Sequence, residues 1–244
     1  MATLFISDLH LCPSRPRIGR LFLDFLAGPA RQADALYILG DLFEYWAGDD
    51  DLDDPFNAGI CAALRTLADS GVALFFMTGN RDFLAGEAFA RTAGLKLLPD
   101  PTLAEVAGTI TLLMHGDTLC TDDAAYQSFR AEVRSPEWRQ AFLALPLSQR
   151  KAQIEALRRE SEAQKRLKPP DIMDVNADAV LQGLTFHRCH RLIHGHTHRP
   201  ARHTLDVAGC PAERWVLPDW YENGGYLACN AAGCQLLNWP AATA

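Results

Sequence analysis

Apolar and polar positions divide the chain into short β-leaning runs and amphipathic helical stretches that follow one another. Residues 3–7, 37–39, 72–78 and 191–194 are apolar runs of strand length, each bounded by polar or turn residues. Between them lie segments with helical spacing: 20–33 with Leu21, Phe22, Phe25 and Leu26 on one face, 57–70 with Ile60, Ala63, Leu64 and Leu67, and 84–92. Gly71 closes the second of these helices. A short strand at 96–98 leads to a hairpin-like piece at 102–114. Alternating runs at 201–207, 215–217, 226–230 and 234–238 predict a second, largely antiparallel sheet.

From residue 121 to 170 the pattern becomes helical throughout. Thr121 or Asp122 is the expected N-cap. Helical pieces are predicted at about 123–134, 137–144 and 148–167, broken at Pro136 and Pro146 and stopped at Pro169 and Pro170. Their apolar faces carry Phe129, Val133, Trp138, Phe142 and Leu145. Asp174 is expected to cap one further helix, holding Val175, Ala179, Val180, Leu181 and Leu184. The predicted organisation is a core of residues 1–121 and 171–244, interrupted by a helical insertion at 122–170.

Charge sharpens that division. The 244 residues carry a net −7, which argues against nucleic acid as a partner of the whole molecule. Residues 123–170 hold ten Lys and Arg against six Asp and Glu, a net +4, so the remainder stands at −11. The acidic run at 48–54 lacks the glycine and glutamate of a calcium loop and is expected to be a solvated face. Seven scattered cysteines without a C-x-x-C pair predict reduced thiols in a cytoplasmic protein. The first residues lack a basic n-region, so no signal peptide is expected, and no apolar run reaches the ~20 residues that span a bilayer.

The candidate chemistry sits where strands end. Asp8 and His10 follow the first strand, and their spacing of two puts both on one side of an extended segment. Gly40-Asp41 ends the second, Gly79-Asn80-Arg81 the third, His115-Gly116-Asp117 the hairpin, and Gly195-His196-Thr197-His198 the last. Any one of these pieces is an ordinary turn. Together they place polar residues at the carboxyl edge of a sheet, where open α/β folds bind ligands. Carboxylate, amide oxygen and imidazole with no thiolate suit Mn²⁺, Fe²⁺ or Zn²⁺. A carboxylate such as Asp41 has two oxygens and can bridge two such ions.

In this order the motifs Asp8-x-His10, Gly40-Asp41, Gly79-Asn80, His115 and Gly195-His196-x-His198 resemble those of the calcineurin-like metallophosphoesterases. The resemblance implies an α/β fold of four layers, helix–sheet–sheet–helix, with two mixed sheets. It implies one metal on Asp8, His10, Asp41 and His198, and a second on Asp41, Asn80, His115 and His196. Mn²⁺ is the metal expected from the nearest relatives. Asp41, Asn80, Arg81, His115 and His196 are the residues expected at the reacting phosphate. Where many members have histidine after Gly-Asn, this chain has Arg81, which stays charged, forks onto phosphate oxygens and is a poor proton donor. That departure favours a leaving group that needs no protonation.

The longer strings Gly40-Asp-Leu-Phe-Glu-Tyr-Trp46, Gly79-Asn-Arg-Asp-Phe83, Leu119-Cys-Thr-Asp-Asp123 and Ile193-His-Gly-His-Thr-His-Arg-Pro200 are similar to those of a narrower family. Its members split the pyrophosphate of UDP-2,3-diacylglucosamine in lipid A biosynthesis, releasing UMP and a diacylglucosamine 1-phosphate. This implies substrate contacts at Asn80, Arg81, Asp123, Ser161, Lys165, Lys168 and His196. It also implies that the 122–170 insertion covers an apolar groove for acyl chains. The expected partners are a glycolipid nucleotide and the cytoplasmic face of the inner membrane of a Gram-negative bacterium, with no obligate protein partner. Another dinuclear-metal phosphodiesterase or nucleotide pyrophosphatase with a soluble substrate is the alternative.

Overall fold

A computed structural model of the chain describes residues 2–165, 172 and 174–240, with the backbone alone at 160–165. The first sheet has the order β11-β10-β1-β2-β3-β4, built from β1 (Thr3–Ile6), β2 (Ala35–Leu39), β3 (Ala73–Met77), β4 (Lys96–Leu98), β10 (Gly224–Asn230) and β11 (Gly233–Trp239). Strands β1 to β4 run parallel, and β10 joins β1 antiparallel with Thr3 opposite Cys229. The second sheet has the order β5-β6-β7-β9-β8, from β5 (Thr102–Val106), β6 (Thr109–Leu113), β7 (Arg191–His194), β8 (Ala201–Val207) and β9 (Cys210–Val216). Its centre, β6-β7-β9, is parallel and its edges are antiparallel.

Alternation along the strands explains how the sheets stack. Phe5, Leu39 and Met77 point to one face of the first sheet and meet Val106, Leu113, Ile193 and Trp215 of the second. The opposite positions Leu4, Ile6, Ile38 and Phe76 pack under α1 (Pro16–Ala27), α2 (Pro55–Asp69) and α3 (Glu87–Ala93) through Phe22, Phe25, Leu64 and Phe89. On the far side Leu112 and Leu192 pack under α7 (Ala177–His187) through Val180 and Leu184. The result is helix–sheet–sheet–helix, two mixed sheets inside two helical layers, as expected.

Several local expectations need correction. The four C-terminal strands do not share a sheet: β8 and β9 extend the second, while β10 and β11 close the edge of the first. Helix α1 starts at Pro16, where a proline fits the first helical turn, and stops at Ala27 before Gly28-Pro29. Asp123, one or two residues past the expected cap, accepts the Tyr126 N–H at 3.1 Å and caps α4 (Ala124–Val133). Asn176 caps α7, because Asp174 is turned to Arg199. Cys229 and Cys234 face each other across β10 and β11 with Cα atoms 4.1 Å apart and form a disulfide. The expectation of seven reduced thiols therefore fails for this pair, whose contact is set by hairpin register and not by sequence spacing.

The acidic run is a solvated face only in part: Asp50 and Asp53 are exposed, while Asp49 and Asp51 are turned to partners. Asp49 accepts N–H groups from Gly86, Ala88 and Phe89 at the start of α3, and Trp46 Nε1 at 3.0 Å. Asp50 pairs with Arg150, and Asp51 with Lys151 at 2.7 Å. Both cations lie on α6 (Leu147–Lys165), which with α4 and α5 (Pro136–Leu143) forms the helical insertion. The Arg150 side chain is 2% exposed and also donates to the carbonyls of Ala47 and Leu145. Arg150→Ala should lower the unfolding free energy by about 2 kcal/mol in urea titration, since it strands buried acceptors and removes a charge-assisted pair. No loss would mean that the insertion is held by its apolar contacts alone.

Candidate metal centre

The carboxyl ends of β1, β2, β3, β6 and β7 meet at one edge of the stacked sheets, and there the backbone leaves the strand conformation. Asp8, His10, Asp41, His196 and His198 have φ values of 55°, 49°, 52°, 68° and 54°. Left-handed backbone at a non-glycine residue costs about 1–2 kcal/mol. Ladder bonds hold these turns together: Asp8 N–H to Gly40 O at 3.1 Å, His10 N–H to Asp41 O at 2.9 Å and Gly195 N–H to His115 O at 2.9 Å. Motif glycines allow the approach. A Cβ on Gly79 would lie 2.1 Å from Asp41 Oδ1, and one on Gly195 would lie 2.2 Å from Ser7 Oγ.

These turns bring together all seven residues singled out as ligands. Asp8 uses Oδ2 to accept the Ser7 hydroxyl at 2.6 Å and the His196 N–H at 2.8 Å. Its Oδ1 is buried without a hydrogen-bond partner, 3.3 Å from His198 Nε2. His198 Nε2 in turn lies 3.4 Å from His10 Nε2. Asp41 stands between two groups: Oδ2 is 3.8 Å from His10 Nε2, and Oδ1 is 3.8 Å from His115 Nε2. Asn80 Oδ1 lies 3.0 Å from both His115 Nε2 and His196 Nδ1. His115 Nδ1 donates to the Leu39 carbonyl at 2.9 Å, which fixes the ring with Nε2 toward the site.

Electrostatics show how closely the charges of the cluster act on one another. Burial, reinforced by Asp82 and Asp8 and opposed by His115 and Arg81, pushes Asp41 up to about 7. His115 is raised to about 9, because Asp41, Asp117 and Asp8 outweigh its burial. Asp8 lies below the usual carboxylate range: its burial is overcome by the His198 contact and by the charges of His115, His198 and His10. Carboxylate, amide and imidazole atoms that converge at 3.0–3.8 Å form a donor set that a positive centre can share in place of protons. The ligand atoms of Asp8, His10 and His198, and likewise those of Asp8, Asp41 and His115, lie within 4.8 Å of one another. The residues present therefore suit divalent cations.

Other residues at the site have roles that sequence reasoning did not assign. The buried Asp82 carboxylate accepts backbone N–H groups from Gly79, Asp41, Leu42 and Phe43 at 2.7–3.3 Å. The buried Asp117 accepts Tyr126 Oη at 2.9 Å and Arg130 Nε at 2.7 Å. Burial would raise Asp117, but His115, His196, Arg130 and Arg134 hold it well below the usual range. Both aspartates stand inside the motif strings, yet Asp82 reaches Asp41, Leu42 and Phe43 about forty residues away and Asp117 reaches side chains of α4. Arg81 lies beside the cluster, with its N–H on Asp41 Oδ1 at 2.8 Å and its Nη1 3.9 Å from Glu44.

A cavity of about 600 Å³ opens from Asn80, Arg81, His196 and His198 and runs between core and insertion. Phe129, Val133, Trp138, Phe142, Ile154 and Leu157 supply apolar lining from the insertion. Asp123 also lines it, although its carboxylate serves as the α4 cap. The side chains of Ser161 and Lys165, and all of Lys168, lie outside the described residues. Among the described residues no helix is long and apolar enough to cross a membrane.

Protons compete with cations for this cluster, and the sign follows from His115 and Asp41. His115, raised to about 9, and Asp41, raised to about 7, each bind a proton as pH falls through those values, so metal affinity should fall progressively below about pH 9 and more steeply below about pH 7. Calorimetric Mn²⁺ titration at pH 8 and pH 6 should show roughly a tenfold weakening per proton displaced per pH unit. An affinity independent of pH would contradict the protonated Asp41.

The model of the calcineurin-like phosphoesterase family matches residues 1–200. A protein of Aromatoleum aromaticum named UDP-2,3-diacylglucosamine hydrolase is 58% identical over 233 residues, 96% of this chain and 95% of that one. A protein of Escherichia coli O139:H28 with the same name is 51% identical over 240 residues, 98% of this chain and 100% of that one. Metallophosphoesterases of this kind use divalent metal ions, which agrees with the clustered donors. With fold, strand-end motifs and sequence all matching, the chain belongs to the calcineurin-like phosphoesterase family.

Proposed function

We propose that this chain hydrolyses the pyrophosphate bond of UDP-2,3-diacylglucosamine in lipid A biosynthesis, by attack of water at the α-phosphorus. The products are UMP and 2,3-diacylglucosamine 1-phosphate. The observation that carries this reading is the lining of the cavity, which joins Asn80, Arg81, His196 and His198 of the ligand cluster to apolar side chains of the insertion in one space. A phosphate joined to two acyl chains needs both kinds of lining in one continuous space. The names and near-complete coverage of the relatives support the same substrate.

Two Mn²⁺ ions on Asp8, His10, Asp41, Asn80, His115, His196 and His198 would supply a water acidified near neutral pH and offset phosphoryl charge. Arg81 neutralises a phosphate oxygen as negative charge builds. It does not need to donate a proton, because the departing sugar phosphate is already a stable anion. Asn80 and His196 orient the diphosphate, while Asp123, Ser161, Lys165 and Lys168 meet the polar part of the substrate. The apolar wall from Phe129 to Leu157 keeps bulk water away from the acyl chains. Residues 122–170 act as the lipid-binding cap and rest on the cytoplasmic face of the inner membrane.

Incubation with Mn²⁺ and the lipid nucleotide in ¹⁸O-water should give UMP carrying the label, read by mass spectrometry. Label in the lipid phosphate would overturn attack at the α-phosphorus, and absence of both products would overturn the substrate. Arg81→Ala should reduce kcat by roughly 100-fold with both metals retained. Loss of metal from that variant would reassign Arg81 to the ligand shell.

A further inference from the structure

Helix α6 touches the core at Arg150, Ile154 and Arg158, a spacing of four that keeps all three on one helical face. Arg150 is clasped by Asp50 and backbone carbonyls, and Ile154 packs against the helix-side core. Arg158 Nη2 donates to Glu44 Oε1 at 2.7 Å. Glu44 is only 7% exposed, and its N–H is tied to the Leu11 carbonyl at 3.0 Å, one residue beyond His10. Its second oxygen, Oε2, lies 3.5 Å from His10 Nδ1, while Oε1 is 3.9 Å from Arg81 Nη1. One buried carboxylate thus meets a cation of the insertion, an imidazole of the metal cluster and the arginine assigned to phosphate.

The geometry at His10 gives this contact a consequence. With Nδ1 turned to Glu44, Nε2 is the nitrogen that faces Asp41 Oδ2 at 3.8 Å and His198 Nε2 at 3.4 Å. A carboxylate behind the remote nitrogen keeps the proton there and leaves the near nitrogen free to bind a cation. Glu44 does this only while Oε2 points at His10. Arg158 fixes that orientation by taking Oε1, and it also shares the charge that would otherwise draw Arg81 away from phosphate.

We infer that Arg158 is a positioning residue through which the helical insertion sets the metal centre: it holds Glu44 so that Glu44 orients His10 and leaves Arg81 to the substrate. The inference rests on the reading of His10 as a metal ligand. It makes docking of α6 a condition for a competent metal site, in addition to shaping the cavity. Whether the insertion is seated on the core is thereby communicated to the ions through two side chains.

The test uses the full chain, stripped of metal and titrated calorimetrically with Mn²⁺. Glu44→Gln should weaken binding of one ion by about tenfold or more, the usual effect of losing an outer-shell partner. Arg158→Gln should weaken the same ion by a smaller factor, and the double variant should bind no worse than Glu44→Gln alone, because both changes break one path. Arg159→Gln, on an exposed neighbouring position, should bind as the wild type does. In turnover, Arg158→Gln should lower kcat more than it raises KM. Wild-type Mn²⁺ affinity in Arg158→Gln, fully additive losses, or an equal loss in Arg159→Gln would each overturn the inference. A wild-type chain that binds no Mn²⁺ would instead overturn the metal reading itself. Should Arg158→Gln fail to fold by thermal melting, Arg158→Lys keeps the charge without the fork and should show the same weakening to a lesser degree.

Discussion

The site depends on one buried carboxylate that touches no candidate cation position. Asp82 accepts N–H groups from Gly79 on one loop and from Asp41, Leu42 and Phe43 on another. Four charge-assisted bonds on one group make two loops, about forty residues apart in sequence, into a single rigid piece. That piece presents Asp41, Asn80, Arg81 and Glu44 together. The packing is so close that any side chain at position 79 would enter the space of the Asp41 carboxylate. The strained backbone of Asp8, His10, Asp41, His196 and His198 is tolerable only on such a support, because without it each turn would relax toward an unstrained conformation.

The sequence made the strand ends legible for a physical reason. Buried strands are short apolar runs, and a polar residue placed immediately after one has to sit at a sheet edge. Asp8, Asp41, Asn80, His115, His196 and His198 all carry that local signature. Asp82 and Asp117 do not, since nothing in Gly79-Asn-Arg-Asp or His-Gly-Asp says which distant N–H or guanidinium the aspartate will meet. The partners of β8 to β11 were equally hidden. Alternation shows that a strand has two faces, but the register that sends β10 to β1 and β9 to β7 belongs to the assembled sheets. The disulfide between Cys229 and Cys234 follows from the same register.

Cap and core are joined by apolar contact in the middle and by ion pairs around it. Ile154, Trp138 and Phe142 pack on the core cluster between the Asp50–Arg150 pair and the Glu44–Arg158 pair. This arrangement leaves the cavity open between the clasps and not filled by the insertion itself. Of the two pairs, Glu44 and Arg158 line the cavity themselves, beside Trp138, Phe142 and Ile154. The charged clasps fix a separation as well as an orientation.

The charge contrast between core and insertion therefore has an intramolecular use that composition alone misassigns. A net +4 on residues 123–170 beside −11 elsewhere reads as a basic surface offered to anions. Yet Arg130, Arg134, Arg150, Lys151 and Arg158, five of the ten basic residues of that segment, face core carboxylates at Asp117, Asp50, Asp51 and Glu44. Each of the five has a carboxylate at short range, with Arg130 and Arg134 sharing Asp117, and such a partner outcompetes a diffuse surface potential that falls off within a Debye length. That leaves the remaining basic positions of the segment for the membrane contact proposed above. The acidic loop at 48–54 likewise spends its charge on holding α3 and α6 in place.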